Sequence, residues 1–549
     1  MVKTLIYLLL LFITPLPAVA QTWYWVGFTD KAGSPYSTDD PLAYLSERAV
    51  ERRMRQQIPI DELDLPVNRS YISQVLAMGV TLVNTSKWMN GITVKADSGI
   101  TDFPVKVKSL TFVKEVQITK HDTISFKNLR DKYRLSMPDD SIIAADSSRY
   151  GLSVIQIGQL NGQYLHDHNY QGQGMQIAVI DAGFYHADEN PVFDSLWVNG
   201  QVLGTHDFVN PASDIYAEHY HGMSVLSIMG GNTPGKLVGT APKASYWLLR
   251  SEDVNSEYLI EEDNWAAAAE FADSVGADLI NTSLGYSLFD DSTMNHTYAQ
   301  MDGKTTRVTR AANIAVLKGM LVFASAGNDG DNSWKYINAP ADGDDVVAVG
   351  AVDKNGVPAS FTSYGPASDG DVKPNVAALG VNTIVENASG FVTSGSGTSF
   401  SAPVVTGLAA CLWQANPDAT AMQIKEAVER SSSLYNAPDS LLGYGIPDFE
   451  LADRLLKSAD AGITDFDNGW LLSPNPFHDE VVIYQEGNAF AGSINVDFLD
   501  MYGRSLKTMV VESKPSTLIN GLSDLPDGLL LLRARSDKGI HLFKLVKVE

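Results

Sequence analysis

Between residues 150 and 455, short apolar strands alternate with helices, and no other feature restricts the fold of this 549-residue chain as much. Residues 175–180, Met-Gln-Ile-Ala-Val-Ile, carry a single polar side chain. Such a run is buried on both faces, which for a strand means a parallel sheet with helices above and below it. The spacing predicts helix over 258–275 followed by strand over 277–281, and helix over 306–318 followed by strand over 320–324. The expected fold class is α/β, a doubly wound parallel sheet, with ligands held at the carboxyl ends of its strands.

The flanking segments read differently. Residues 21–147 begin with a strand-like 23–28 and continue with a basic helical stretch over 42–57 that carries Arg48, Arg52, Arg53 and Arg55. A second helix over 69–78 and alternating strands near 80–83 and 91–94 complete a small α+β unit, closed by a polar linker over 137–148. Residues 457–469 read as an acidic linker. Residues 470–549 show short strands at 481–484, 494–498 and 529–534 between turns, the pattern of a β-sandwich.

Charge and cysteine content exclude several functions. Forty Lys and Arg against 65 Asp and Glu give a net charge of −25, a surface that repels phosphate backbones and argues against nucleic acid as a partner. Cys411 is the single cysteine, so an intramolecular disulfide and a cysteine-based zinc site are both excluded. At the N-terminus Lys3 precedes the apolar run 5–13, Pro15, Pro17 and a small-x-small site, Ala18-Val19-Ala20, before Gln21. That order is a secretory signal over residues 1–20, too short to span a membrane. No other segment reaches 18 uninterrupted apolar residues, so no membrane span is expected in the mature chain.

Four polar residues stand where strands end or helices begin. Asp181 follows the strand over 175–180, His221 opens an apolar helical stretch, Asn328 follows the strand over 320–324, and Ser399 precedes a helical 404–414. Singly, each has an ordinary structural explanation as a turn former or cap. Together, in the order Asp, His, Ser with a late amide, they supply the parts of acyl transfer. A serine hydroxyl needs a base, imidazole is the base that titrates near neutrality, and an aspartate fixes its tautomer. An asparagine amide and the serine N–H at a helix start would bind an oxyanion.

The residues around these positions resemble the subtilisin-like serine protease family. The matching motifs are Ala178-Val179-Ile180-Asp181-Ala182-Gly183, His221-Gly222-x-x-Val225 and Gly397-Thr398-Ser399-x-Ser401-x-Pro403. The resemblance implies a subtilisin-like peptidase domain over 148–456 with catalytic Asp181, His221 and Ser399, and with Asn328 in the oxyanion hole. It also implies that Ser283, Leu284 and Gly285 pair with substrate and that Ser325, Ala326 and Gly327 form a pocket wall. Residues 21–147 are similar to a subtilase propeptide. The chain departs from the family at Asn375 and Leu379, within Lys373 to Gly380, where the family commonly has Asp and Pro. The family often binds structural calcium; no cofactor is required for the chemistry, and no oxygen-ligand loop specific enough to name calcium ligands is visible. Asp342-Gly343-Asp344-Asp345 is expected to be a solvated turn.

Residues 470–549 resemble a type IX secretion sorting domain through Ser473-Pro474-Asn475-Pro476-Phe477, Asp500-Met501-Tyr502-Gly503-Arg504 and Lys544-Leu545-Val546-Lys547, with Leu529 where an aromatic is usual. The expected partners are therefore protein or peptide substrates and the type IX secretion machinery. The expected location is secreted or at the cell surface after passage through the periplasm, as a monomer. The alternative is a catalytically inactive surface binding protein on the same scaffold. Three other signals read as decoys. The phosphate-loop pattern over 230–236 has Leu237 where a hydroxyl must reach magnesium. His166-Asp167-His168 is expected to be a solvated helix end without further metal ligands. Cys411, on the helix after Ser399, is expected in the core.

Overall fold

The computed structural model describes residues 21–121, 134–136, 149–460, 470–485, 492–514, 516–536 and 539–548. The signal over 1–20 and the linker over 137–148 lie outside the described residues.

The N-terminal unit is an antiparallel sheet in the order β2-β3-β1-β4, formed by β1 (Thr22–Phe28), β2 (Thr81–Ser86), β3 (Gly91–Ala96) and β4 (Val113–His121). Three helices accompany it: α1 (Glu47–Arg55), α2 (Arg69–Leu76) and α3 (Phe103–Lys108). Strand alternation sorts β1 between two cores. Tyr24, Val26 and Phe28 face α2 and α3, whereas Trp25 faces the central domain. The continuous helix expected over 42–57 is instead a 3-10 turn (Pro41–Ala43) followed by α1, because Ser46 caps a new start by accepting from the Ala49 N–H.

A short strand β5 (Arg134–Ser136) and helices α4 (Val154–Gly158) and α5 (Gln163–Asp167) lead into the central sheet. Its first members are β6 (Gln176–Asp181) and β7 (Val202–Asp207), separated by α6 (Asp194–Val198). Next come α7 (His221–Gly230), a ribbon of β8 (Asn232–Thr233) and β9 (Leu237–Val238), β10 (Ser245–Arg250) and α8 (Ile260–Val275). The sheet continues through β11 (Leu279–Thr282), α9 (Arg307–Leu317), β12 (Leu321–Ser325), β13 (Val347–Val352) and β14 (Val376–Leu379). Seven strands pair in parallel in the order β14-β13-β12-β11-β6-β10-β7. Alternate residues feed opposite cores: Ile177 and Val179 of β6 pack on one face, Ala178 and Ile180 on the other. The doubly wound fold expected from the alternation is the one observed.

β15 (Thr383–Glu386) and β16 (Val392–Ser396) form a hairpin, with β5 paired antiparallel to the free side of β16. After it come α10 (Thr398–Ala415), α11 (Ala421–Arg430) and α12 (Phe449–Asp460). Helix α12 runs into the stretch expected to be a linker from residue 457, because Leu451, Leu455 and Leu456 are buried and Lys457 pairs with Asp453 one turn back at 2.7 Å. Residues 461–469 lie outside the described residues.

At the C-terminus, β17 (Trp470–Ser473), β18 (Val481–Gln485), β19 (Ser493–Leu499), β20 (Ser505–Glu512), β21 (Ser516–Ile519), β22 (Gly528–Ser536) and β23 (Gly539–Lys547) make two antiparallel sheets, β17-β18-β21 and β20-β19-β22-β23. They enclose one core that includes Phe477, Ile483, Val496, Leu532 and Phe543, which is the expected sandwich. Leu471, Val482 and Tyr484 on its other side pack against Leu451 and Leu455 of α12.

The N-terminal unit docks on α8 and α9 through buried charge. Arg52 donates to the carbonyls of Asp273, Ala277 and Lys318, and Arg53 to that of Lys318, so α1 caps the C-terminal ends of both helices. The Asp273 carboxylate receives Arg52, Arg53 and Lys87, and Asp64 receives Arg53 and Lys318. The basic helical stretch of the sequence is thus an interface element.

Candidate active site

Three parallel strands deliver polar groups to one end of the sheet. Asp181 is the last residue of β6, Ser283 to Gly285 follow β11, and Ala326 to Asn328 follow β12. Helix α7 starts on His221 and α10 on Thr398. The Asp181 Oδ1 and His221 Nδ1 atoms are 2.7 Å apart and both side chains are fully buried. The same carboxylate oxygen accepts the Ala182 N–H at 2.7 Å, which fixes its orientation. Gly222 permits this approach: a Cβ there would lie 2.8 Å from Asp181 Cβ and 2.5 Å from the Gly183 carbonyl oxygen.

Ser399 occupies the first turn of α10, and Gly397, not the serine, is the N-cap. Its N–H is among the first four donors of the helix, which have no partner within it. Its hydroxyl donates to the Ser283 carbonyl at 3.1 Å, and its own carbonyl accepts from Ser283 Oγ at 2.8 Å. Pro403 explains the second bond. A proline four residues on has no N–H to offer the Ser399 carbonyl, and the Ser283 hydroxyl takes that place. The Phe400 ring lies 5.8 Å from the His221 ring, so α10 brings the serine's neighbour against the histidine.

Asn328 is exposed, and Thr398 determines which way its amide faces. Asn328 Oδ1 accepts from the Thr398 N–H at 2.8 Å and the Thr398 hydroxyl at 3.0 Å, which leaves Nδ2 as the outward donor beside Gly397 and the Ser399 N–H. Thr398 Oγ1 also accepts the Gly327 N–H at 3.2 Å. Among the expected substrate residues, Gly285 is exposed, whereas Ser283, Leu284, Ser325, Ala326 and Gly327 are buried. Leu284 packs into the core beneath the sheet. Thr398 and Pro403 stand within the motif around Ser399, yet their tasks follow only from the hydrogen bonds they make or omit.

Two other expectations change. Asp342 is buried rather than solvated, with its carboxylate accepting from the Gly303 N–H at 3.1 Å and the Thr309 hydroxyl, and burial raises its pKa to about 6; Asp344 in the same run is exposed. His166 is also buried, between the Tyr150 hydroxyl at 3.1 Å and the Thr240 carbonyl at 2.9 Å, and burial lowers its pKa to about 4. Cys411 is in the core as expected, and burial pushes its thiol pKa up. Among the described residues no group of three or more His, Cys, Asp or Glu side chains is arranged to hold a metal ion, and no helix is long and apolar enough to cross a membrane.

The sequence profile of the subtilase family matches residues 172–445, the segment that holds all four polar residues. Subtilisin DY of Bacillus licheniformis is 30% identical over 314 residues, which cover 56% of this chain and 99% of that protein. The chain belongs to the subtilase family. Its N-terminal unit matches a second profile, the peptidase S8 propeptide domain of Bacteroidota, over residues 23–134. Two further relatives are longer. The thermophilic serine proteinase of Bacillus sp. (strain AK1) is 32% identical over 286 residues, covering 51% of this chain and 62% of the relative. Serine protease AprX of Bacillus subtilis (strain 168) is 28% identical over 311 residues, covering 51% and 64%. The chain therefore spans less than two thirds of the length of these two relatives.

Proposed function

We propose that the chain is a secreted serine endopeptidase, made as a zymogen, that hydrolyses peptide bonds through an acyl-enzyme. The observation that carries this reading is the buried Asp181–His221 contact of 2.7 Å, at the end of the sheet where Asn328 follows β12 and Ser399 opens α10. With its Nδ1–H given to Asp181, the imidazole offers Nε2 as the base. Rotation of the Ser399 side chain away from the Ser283 carbonyl turns its proton toward that nitrogen, and Oγ attacks the scissile carbonyl. The oxyanion receives the Asn328 amide and the Ser399 N–H. The imidazolium, stabilised by Asp181, then protonates the leaving amine, and water releases the acyl group by the reverse sequence.

The zymogen reading rests on β5. Its residues 134–136, which begin on the last residue of the propeptide match, pair antiparallel with β16 in the register Arg134 to Ser396, three residues before Ser399. A peptide bound this way runs its C-terminal side along β16, as the leaving-group part of a substrate would. The maturation bond then lies shortly before Arg134, upstream of the boundary at 147 expected from composition.

The C-terminal sandwich acts as an address signal, directing passage from the periplasm across the outer membrane through the type IX machinery. Its three motif segments each have a defined place. Asn475 donates to the Lys544 carbonyl and accepts the Val546 N–H, and Asp500 closes the β19–β20 turn onto Arg504. Removing residues 470–549 should leave the protein in the periplasm; undiminished export would reject this assignment.

The peptidase reading is tested by incubating the secreted protein with a serine-directed phosphonate and locating the adduct by mass spectrometry. A single adduct on Ser399 is expected. No adduct on a folded protein would favour an inactive binding scaffold.

A further inference from the structure

Arg250 stands in none of the sequence motifs, yet it is the last residue of β10 and pairs in register with Asp181, the last residue of β6. Two parallel strands thus end side by side, one on the carboxylate that faces His221 and one on a guanidinium. Arg250 is 4% exposed, and its three nitrogens go to three different segments. Nε donates to the carbonyl of Ala182, the residue after Asp181, at 3.2 Å. Nη1 donates to Asp207 Oδ2, at the end of β7, at 2.9 Å. Nη2 pairs at 3.2 Å with Glu218 Oε2, three residues before His221. A buried charge persists only where it is paired and hydrogen-bonded, and a planar fork of fixed donors suits three partners at once.

Each partner is itself held. Asp207 Oδ1 accepts the Val209 and Asn210 N–H groups at 2.8 Å, so that carboxylate is a fixed anchor. Ser251, next after Arg250, donates its N–H to the Asp181 carbonyl at 3.0 Å. The segment before α7 lies against the segment after β6: a Cβ on Gly183 would stand 2.8 Å from Glu218 Cβ and 2.5 Å from the His219 nitrogen. Glu218 is partly open to solvent, and its bond to Arg250 draws this segment onto the strand end that carries Asp181. A shift of Glu218 would move the start of α7, and His221 with it.

We propose that Arg250 is a positioning residue of the peptidase. By holding Ala182, Asp207 and Glu218 together it sets the separation of Asp181 and His221, and so keeps the imidazole aligned as the base. This rests on the peptidase reading above.

The test combines kcat and KM on one peptide with the downfield proton NMR signal of His221 Nδ1–H, assigned by its loss in His221→Ala. Arg250→Met should lower kcat by about 10² with little change in KM, the effect of a small misplacement, and should shift or broaden the signal. Arg250→Lys keeps the charge without the fork and should recover part of both. Glu218→Ala should give a smaller loss of kcat and move the signal in the same direction. Combined with Arg250→Met it should add nothing further, because Glu218 acts through Arg250. Should Arg250→Met fail to fold, as read by thermal unfolding, Glu218→Ala carries the comparison with the same two readouts. An unchanged kcat, an unmoved signal, or losses that multiply in the double variant overturns the inference, while wild-type turnover and the Ser399 adduct keep the peptidase reading intact. No cleavage of any peptide by the folded wild type overturns both.

Discussion

His221 Nδ1 lies 2.7 Å from Asp181 Oδ1, and neither side chain is open to solvent. A carboxylate at that distance holds the imidazole in the tautomer whose Nε2 is free of a proton. Asp181→Asn keeps the shape but can donate to Nδ1 and so reverse the tautomer. The expected result is a loss of about 10⁴ in kcat, the magnitude known for this change in a serine protease of unrelated fold, with an unaltered melting temperature. Circular dichroism and steady-state kinetics on one preparation check both parts.

Thr398 fixes the orientation of the Asn328 amide by donating twice to its oxygen. Asn328→Ala should lower kcat by about 10²–10³, the magnitude known for the corresponding loss in subtilisin, with little change in KM. Thr398→Val removes the hydroxyl that helps to orient the amide and should give a smaller loss in the same direction. Equal or larger loss in Thr398→Val, with the fold intact, would contradict that division of labour.

The parallel sheet is legible because it is written locally: apolar runs give strands, and Asp181, His221, Asn328 and Ser399 are visible as polar residues where those strands end or helices begin. What joins the site is not. Ser283 is bonded to Ser399 from 116 residues away, and Asn338 and Ala339 bridge Ala326 and Tyr286 through backbone hydrogen bonds. Neither link leaves a periodicity or a motif. Two buried polar residues depart from expectation for a related reason: Asp342 and His166 look like solvated residues by type, and only their tertiary partners show why they are buried. The end of α12 was missed because acidic composition outweighed an apolar stripe whose partners, Leu471 and Tyr484, lie beyond the linker.

Asp273 ties the propeptide domain to α8. Burial alone would raise its pKa, but Lys87, Arg53 and Arg52 hold the carboxyl well below the usual carboxylate range. A depressed native pKa contributes stability that is present above the ordinary value of 3.8 and is lost as pH falls below it. In the uncleaved protein, Asp273→Ala removes the carboxylate shared by Arg52, Arg53 and Lys87 and should destabilise the domain pair by about 3–5 kcal/mol at neutral pH. Chemical unfolding at pH 7 and at pH 3 checks both statements, since the variant's deficit should shrink in acid.

The β5–β16 register predicts the N-terminus of the mature protein. N-terminal sequencing should find a first residue within a few positions of Arg134. A start near residue 149 would mean that β5 leaves with the propeptide domain and does not mark the leaving-group side.

The most direct measurement is peptide hydrolysis by Ser399→Ala beside the wild type, both purified as full-length precursors and followed by mass spectrometry of the chain itself. The wild type is predicted to cleave peptides and to shorten at its own N-terminus, and the variant to do neither while unfolding at the same temperature. Undiminished turnover by Ser399→Ala would contradict the assignment of Ser399 as the nucleophile.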